Sequence, residues 1–448
     1  MILLLACLIV FGGAVSARAQ ESRFHADVRR EAGDVRDSCG KGFDAKAVAN
    51  CVYTLTTDDP FHVALGTIAP QNGVAFGLAF VEHWTPNERW RIGWNADAVG
   101  SPNGSYRAGF YMKLIATSSS AGGGIVVRRP GESPATRRPA VTIREYPVFN
   151  IYAQTISLDT LPITAGGDLF REHQTIVGTN VVYPATLQRI QSLRLSIVGA
   201  VNGRFVTTRS DDAMLNQSAS FAQFEEGLRF RPAILDDHLR LDYFASLQQF
   251  QASESSAGSF HRWSVDLSHT IPLYRTVSST GPKDTNGPNE CAQSIGGSCP
   301  PLSFSRNREG SIAFRVLVSR SIAGDGNIVP FYLQPTLGGS DLNGQRLLSA
   351  FDDYQFRGTN LFALQEGVEH SIWGPFGVYV LAEQGTLTPE GTDLTVQDLA
   401  RSFAVGFTIR AGGFPLVNLT FAWGGGSHHI IGTIDSTLLG GSSRPSLF

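Results

Sequence analysis

Two arginines and two aspartates lie close together in one stretch of the chain, RLLSAFDDYQFRGTNLFALQ at residues 346–365. Arg346 and Arg357 flank the acidic pair Asp352 and Asp353, with large aromatic residues nearby. A guanidinium group that leaves bulk water needs a carboxylate or a carbonyl as its partner. The stretch is therefore either a solvated loop with dispersed charges or a structured loop whose charges make fixed contacts in a polar cavity.

Serine and histidine side chains offer a second kind of chemistry, because a hydrolase needs a nucleophile beside a general base. Ser264, Ser268 and His269 are the nearest group of this kind. They lie in a segment of alternating residues, and the alternation puts His269 on the apolar face and Ser268 on the opposite one. We therefore predict that the protein is not an enzyme and has no catalytic residues.

Two further patterns bear on metals and cofactors. His428 and His429 are adjacent, so on a strand they point to opposite faces and do not chelate one ion together. The glycines at 122–124 are not followed by Lys-Ser or Lys-Thr, which a phosphate-binding loop requires. We predict no metal and no cofactor.

The cysteines form two local pairs once Cys7 is set aside. Cys39 lies near Cys51, and Cys291 lies near Cys299. A metal site is the alternative for these residues, but neither pair has CxxC spacing or a clustered histidine. In an exported chain, the prediction is two short-loop disulfides.

The N-terminal residues have the pattern of a secretory signal peptide. An apolar run precedes the small-x-small sequence Ala17-Arg18-Ala19, so we predict export and removal of residues 1–19. Residues 20–60 are too few for a substantial domain and would form a short periplasmic segment. The formal net charge of −3 gives no indication of a nucleic-acid partner.

Residues 61–448 repeatedly alternate bulky apolar residues with polar or small ones. In VNLTFAWG at 417–424, the odd-numbered positions hold Val, Leu, Phe and Trp, and the even-numbered ones hold Asn, Thr, Ala and Gly. Such alternation gives a strand one apolar and one polar face. A soluble β fold is the alternative, but strands of ten or more residues with aromatics near their ends favour a transmembrane antiparallel β-barrel.

About sixteen such strands fit between residues 74 and 436, an even number as expected for a bacterial barrel. The count treats 311–322, 328–337 and 361–372 as consecutive strands. The long loop 338–360 then falls between the eleventh and the twelfth strand. The predicted fold class is therefore all-β, a transmembrane barrel of about 16 strands.

The lengths of the connections predict which end of the barrel they occupy. The tight turns would be periplasmic, at 324–327, 373–375 and 411–414. The long loops would be extracellular, at 275–310, 338–360 and 387–401.

A series of short motifs surrounds the charged stretch. Gly338-Gly339 opens the loop, Phe356-Arg357-Gly358 with Asn360 closes it, and Ile372-Trp373-Gly374 ends the next strand. This arrangement resembles the Omp85 superfamily, the bacterial surface antigen (D15) type of outer-membrane barrel, most specifically over residues 328–424. The resemblance implies a sixteen-strand barrel whose sixth extracellular loop folds back into the lumen.

In that family, an arginine at the loop tip contacts an acidic residue on the inner wall. Here Ser349 stands at the arginine position, and the wall motif Leu381–Gly385 holds Glu383 in place of an aspartate. The resemblance implies that Ser349 contacts Glu383, or that Arg357 or Arg346 supplies the missing charge. The residues expected to form the contacts between loop and wall are Arg346, Ser349, Phe351, Arg357, Gly358, Glu383 and Gly385.

The resemblance also implies a function, the assembly or translocation of proteins or lipids at the bacterial outer membrane. The partners would be outer-membrane lipid, unfolded outer-membrane protein clients and a periplasmic partner. Family members that handle clients carry periplasmic POTRA domains of about 75 residues, and residues 20–60 cannot hold one. A passive channel or structural surface protein that keeps the fold without insertase activity is the alternative.

Overall fold

A computed structural model gives the structure of the protein, whose chain divides into two compact units, Met1–His62 and Val63–Phe448. Apart from single positions elsewhere, the described residues are 61–117, 146–185, 194–232, 238–254, 258–280, 303–389, 398–434 and 444–447, without 88, 325, 342, 344, 374, 375, 412 and 413. No helix among these residues is both long enough and apolar enough to cross a membrane.

Most of the first unit lies outside the described residues, including the predicted signal peptide and nearly all of the segment 20–60. Gly33, Arg36 and Cys39 are helical there. Cys39 is disulfide-bonded. Cys51, Cys291 and Cys299 lie outside the described residues, so the two predicted pairings stay predictions.

The second unit is built around one large sheet in which, over the described residues, sixteen strands follow one another in chain order. The described pairings between neighbours are antiparallel. The wall strands are β1 (Phe61–Thr67), β2 (Val74–Asn87), β3 (Trp90–Gly100), β4 (Tyr106–Ala116), β5 (Val148–Pro162), β6 (Leu169–Pro184), β7 (Leu195–Arg209), β8 (Ser218–Phe230), β9 (Arg240–Ala252), β10 (Phe260–Thr280), β11 (Ser303–Ala323), β14 (Asn360–Trp373), β15 (Phe376–Thr388), β16 (Ala400–Ala411), β17 (Phe414–Gly424) and β18 (Ser427–Ile434). Two short strands, β12 (Thr336–Leu337) and β13 (Phe356–Arg357), pair with each other apart from this sheet.

The wall strands expose their apolar side chains and bury their polar ones. On β17, Phe421 is 38% exposed, whereas its neighbours Thr420 and Ala422 are 0% and 2% exposed. On β7, Phe205 is 52% exposed and the adjacent Arg204 only 1%. A soluble sheet would turn its apolar face inward, so this pattern confirms a transmembrane barrel with a polar interior.

The count of about sixteen is confirmed, although two errors in the predicted strands cancel. The segment 328–337 is not a wall strand, because it forms the 3-10 turn Phe331–Leu333 and the short strand β12. The strand β1 (Phe61–Thr67) replaces it in the count, at the other end of the sequence. Val329 and Leu333 are buried, whereas a wall strand would alternate exposed and buried residues.

The first error also affects the connections that precede β11. With one wall strand fewer after them, they lie at the end of the barrel opposite to the predicted one. Because β11 runs directly into the connection 324–359, its first residue Ser303 and the last residue of β10, Thr280, lie at the opposite end of the sheet. The loops 275–310 and 338–360 therefore cannot both be extracellular, and that part of the prediction is wrong. Residues 324–327, predicted as a periplasmic turn, instead lead into the loop that closes on β14.

The first and the last wall strand are the shortest of the sheet, over the residues that the structure describes. β1 has 7 residues and β18 has 8, whereas the other wall strands have 11 to 21. The described pairings end at β1 on one side and β18 on the other. Thr67 of β1 and Ile431 of β18 nevertheless line the same internal cavity. We call the two strands that end the described sheet, β1 and β18, the seam.

Candidate functional site

The connection 324–359, here called the inward loop, lies inside the barrel. Its side chains Leu333, Leu348, Ala350 and Tyr354 are at most 1% exposed. Such burial requires wall residues around the loop, since loops on a protein surface remain in contact with water. The prediction of a lumen-entering loop between the eleventh and twelfth wall strands is therefore confirmed.

The first part of the inward loop packs against the inner surface of β5, β6, β9 and β10. The ring of Phe331 meets that of Phe170 edge to face, with centroids 5.0 Å apart. Tyr332, Leu333 and Tyr354 belong to one apolar cluster with side chains from several strands of the wall. The wall members include Leu158, Leu161, Phe170, Phe250 and Phe260. The loop thus joins one side of the wall through an apolar contact.

Arg357 fixes this part of the loop to the wall through backbone carbonyls. Its guanidinium donates to the carbonyl oxygens of Ile163 at 2.7 Å, Phe331 at 2.6 Å and Pro162 at 3.4 Å. Burial lowers the pKa of Arg357 to about 10, opposed by the nearby Glu172 carboxylate, so the side chain is still a cation at neutral pH. The sequence motif therefore marks a residue that holds the loop, with carbonyls rather than Glu383 as partners.

The tip of the inward loop reaches Glu383 through its backbone. The N–H of Ser349 donates to Glu383 Oε2 at 2.6 Å, and Gln365 Nε2 donates to Oε1 at 2.9 Å. Among the described residues, the Ser349 hydroxyl has no hydrogen-bond partner. The structure thus brings together residue 349 and residue 383, as the family pattern implies, but a main-chain group makes the contact.

Neighbouring tip residues extend this contact to the last wall strands. The N–H of Ala350 donates to Ser402 Oγ at 2.9 Å, and Ser427 Oγ donates to the carbonyl of Ala350 at 2.5 Å. Phe351 packs beside Phe356 and against the β17–β18 turn, where a Cβ on Gly425 would lie 2.5 Å from Phe351 Cζ. The tip is therefore attached to the strands next to the seam.

Arg346 makes a separate contact with the wall. Its Nη1 donates to Thr420 Oγ1 at 2.6 Å, and the Tyr379 hydroxyl bonds the same oxygen. Among the described residues, neither Arg346 nor Arg357 is hydrogen-bonded to Glu383. Arg346 instead holds the loop near its tip, and Arg357 holds the loop near its end, each against a different part of the lumen.

The loop follows an unusual backbone path between these contacts. Leu348 has φ 58° and Tyr354 has φ 62°, a left-handed conformation that is costly for bulky residues. Gly339 has φ 58° as well, and a Cβ there would lie 2.0 Å from Asp353 Oδ1. The carboxylate of Asp353 accepts the N–H of Ser340 at 2.9 Å, and its burial raises its pKa. The wall contacts of the tip must therefore offset local strain.

Gly385 and Gly358 lie where the loop comes closest to β15. A Cβ on Gly385 would be 3.2 Å from Leu337 Cδ1, so a larger residue would press on the apolar side of the loop. Gly358 donates its N–H to the carbonyl of Pro335 at 3.4 Å. Both residues thus contribute to close packing between the loop and the wall, not to chemistry.

Sequence reasoning missed a group of buried arginines on the inner wall. Arg204 and Arg262 approach the ring of Phe250 at 5.8 Å and 5.6 Å, and Arg262 also donates to Ser321 Oγ at 2.8 Å and to the carbonyl of Leu333. Alternation alone places both arginines on the polar face of their strands. It does not indicate which of them contacts the inward loop, because that depends on contacts distant in sequence.

Beyond the loop, the lumen holds a cavity of about 1080 Å³. It is bordered by β1, by β18, by loop residues such as Arg346 and by the segment Arg444–Leu447. The segment 444–447 is not a wall strand, because β18 ends at Ile434 and the described sheet ends with it.

Comparisons with known proteins concern the fold. No family model and no curated protein matches the sequence. CdiB from Acinetobacter baumannii is similar in structure with a TM-score of 0.48 at 10% identity, over 83% of this chain and 58% of that one. BamA from Haemophilus ducreyi, in a structure lacking POTRA domains 1–3, gives a TM-score of 0.49 at 9% identity over 84% and 70% of the two chains.

CdiB from Escherichia coli has a TM-score of 0.48 at 12% identity, over 90% of this chain and 71% of that one. BamA and CdiB are Omp85 superfamily β-barrels. The chain spans 58% of the length of the Acinetobacter protein. At these identities the likeness concerns the fold alone.

Proposed function

We propose that this chain, which has the Omp85-type barrel fold with sixteen described wall strands and an inward sixth loop, inserts or translocates unfolded polypeptide at the bacterial outer membrane. The observation that carries the proposal is the attachment of the loop tip beside the seam. Ser427, the first residue of β18, donates to the carbonyl of Ala350 at 2.5 Å. A movement of the tip therefore acts directly on one of the two short seam strands.

The seam is suited to strand exchange with a client. A strand edge offers a row of N–H and C=O groups that an incoming extended chain can pair with. β18 pairs with β17 over eight residue pairs, from Val417↔Ile434 to Gly424↔Ser427. Over the described residues, β1 and β18 each pair with one neighbouring strand only, so each offers such an edge.

The alternative, a passive channel, is less well supported by the lumen. Tyr332 and Leu333 of the inward loop are 2% and 0% exposed and belong to an apolar cluster with residues of the surrounding wall. A steady aqueous pore needs polar surface along its whole length. An apolar contact of this kind instead suits a lumen that opens only when the loop moves.

The setting and partners follow from the same proposal. The apolar outer face would contact outer-membrane lipid, and unfolded outer-membrane proteins would be the clients, delivered by a periplasmic partner. We propose no catalytic role. His269 Nε2 is hydrogen-bonded to the Tyr243 hydroxyl at 2.6 Å, and Ser264 and Ser268, on the same strand β10, point to its opposite face.

The test is reconstitution of the purified protein into liposomes together with an unfolded outer-membrane barrel protein. We expect the client to become folded and protease-protected faster than in empty liposomes, and the rate to fall in the Glu383→Ala variant, which loosens the tip. Glu366→Gln changes an exposed carboxylate on the neighbouring strand and should leave the rate unchanged.

Planar bilayers distinguish the alternative. An insertase with a closed lumen should give small or intermittent currents, whereas a passive channel gives steady conductance. Steady conductance together with a client folding rate equal to that of empty liposomes would contradict the proposed function and support the channel.

A further inference from the structure

The segment Arg444–Leu447 lies within the lumen and is held there by side chains of the wall. Arg444 Nη2 donates to Asp97 Oδ2 at 2.8 Å, and the side chain of Asp97 is fully buried. Arg107 shares the same carboxylate oxygen at 3.5 Å. A buried carboxylate between two arginines is an anionic site built for a cation, because its charge would be costly to bury unpaired.

The main chain of the same segment is recognised as well. Arg204 Nη2 donates to the carbonyl of Ser446 at 2.6 Å, and Gln174 Nε2 donates to the carbonyl of Leu447 at 3.4 Å. On the other side, the N–H of Leu447 donates to Asn343 Oδ1 at 2.7 Å. These contacts use groups that every peptide possesses, so they hold an extended chain without reading its sequence.

The side chain of Leu447 supplies the remaining contact. It is 6% exposed and belongs to the apolar cluster that also contains Tyr332 and Leu333 of the inward loop. The site thus has three parts in a row: an acidic position for a basic side chain, polar groups for the main chain, and an apolar pocket three residues further along.

We propose that the lumen contains a binding site for an extended peptide segment in which a basic residue precedes an apolar residue by three positions. In this structure the chain's own segment 444–447 occupies the site. The proposal rests on the proposed function in one respect, since it names the class of client segment that would displace 444–447 during transport.

Occupancy of the site is connected to the inward loop. Asn343 contacts both Ser446 and Leu447, and it lies in the loop three residues before Arg346. When a client segment replaces 444–447, the same loop residue meets the client. The inward loop is thus in contact with the peptide site at Asn343 and with the seam at its tip.

The test measures binding of a capped, fluorescently labelled peptide with the sequence of residues 441–448 to the full-length protein in detergent. In the wild type the site is filled from within, so binding should be weak. The Arg444→Ala variant should release the internal segment and bind the peptide about tenfold more tightly or better, since a tenfold change needs only 1.4 kcal/mol.

A second substitution makes the result specific. Adding Asp97→Asn to Arg444→Ala should weaken peptide binding by about 30-fold, as expected when one partner of a buried charge pair is removed. A peptide with glutamate in place of its arginine should fail to bind either variant. Heat-modified mobility on electrophoresis verifies that each variant is a folded barrel.

Equal peptide binding by the wild type and Arg444→Ala, or binding insensitive to Asp97→Asn, would overturn the proposal. These outcomes are independent of client insertion. An active insertase without peptide binding would refute the site alone, whereas peptide binding without insertion would refute only the proposed function.

Discussion

The backbone N–H of Ser349 lies 2.6 Å from Glu383 Oε2, so the tip of the inward loop is bound to the wall carboxylate without a tip arginine. A main-chain donor at this position depends on the path of the loop more than on the identity of residue 349. Leu348, immediately before it, adopts φ 58° to present that N–H. The contact is therefore set by the conformation of the loop and not by the side chain of residue 349.

Removing the acceptor should destabilise the barrel. Glu383→Ala leaves the N–H of Ser349 and the Gln365 side chain without their common partner in a buried site. We expect a loss of about 2–4 kcal/mol in the free energy of unfolding, from two unsatisfied buried donors. Guanidinium unfolding followed by tryptophan fluorescence measures it, with Glu366→Gln as the matched control. A change below about 0.5 kcal/mol, the size of an ordinary surface substitution, would contradict the assignment.

Removing the hydroxyl of residue 349 should have little effect. Ser349 is 0% exposed, and among the described residues its Oγ makes no hydrogen bond. Ser349→Ala should therefore change the free energy of unfolding by no more than about 0.5 kcal/mol, with the Glu383 contact intact. A loss comparable to that of Glu383→Ala would mean that the hydroxyl, and not the main chain, binds the carboxylate.

These two residues also show what the sequence could and could not predict about the site. The alternation of β15 predicts that Glu383 points inward, and its side chain is buried in the structure. The family resemblance implies residue 349 or an arginine as its partner, and the structure places the N–H of Ser349 there. The atom that makes the contact follows from the φ of Leu348, which no residue pattern indicates. For the same reason the wall partners of Arg357, the carbonyls of Ile163 and Pro162 almost two hundred positions away in sequence, could not be predicted.

Arg357 should not be replaceable by lysine. Its planar guanidinium reaches the carbonyls of Ile163 and Phe331 at the same time, which a single ammonium group on a flexible chain cannot reproduce. Arg357→Lys should lower the free energy of unfolding by about 2 kcal/mol. Arg171→Lys is the control, because Arg171 pairs with Asp159 at 2.9 Å but is 71% exposed. Equal effects of the two substitutions would contradict a buried anchoring role for Arg357.

Gly339, within the inward loop, should be needed for space as well as for conformation. Gly339 and Gly326 both have positive φ, but a Cβ on Gly339 would lie 2.0 Å from Asp353 Oδ1, whereas Gly326 has nothing within 4 Å. Alanine at either position should lower the free energy of unfolding by about 1 kcal/mol, because it must adopt a left-handed backbone conformation. Gly339→Ala should lower the free energy of unfolding by about 2 kcal/mol more than Gly326→Ala, because the loop must shift to accommodate the added Cβ. Thermal unfolding of the two variants measures the difference. Similar losses of stability in both would contradict the close approach of Gly339 to Asp353.

The fold was more accessible from the sequence than the details of its connections. Period-two alternation sufficed for the barrel, since it reports directly which face of each strand meets lipid. It could not distinguish 328–337 from a wall strand. The apolar residues of this segment belong to the inward loop and are buried inside the lumen, not against lipid. That single misassignment moved 275–310 to the wrong end of the barrel. The position of 444–447 also escaped prediction, because its contacts lie on β3, β6 and β7.

The most direct test of the proposed function is site-specific crosslinking at the seam during insertion of a client. A photoreactive amino acid at Ile431, which lines the cavity on β18, should crosslink to the client chain while the client is being inserted into liposomes. The same group at Phe314, on the lipid-facing side of β11, should not. Insertion that proceeds with equally low crosslinking at both positions would contradict passage of the client by the lumen and the seam.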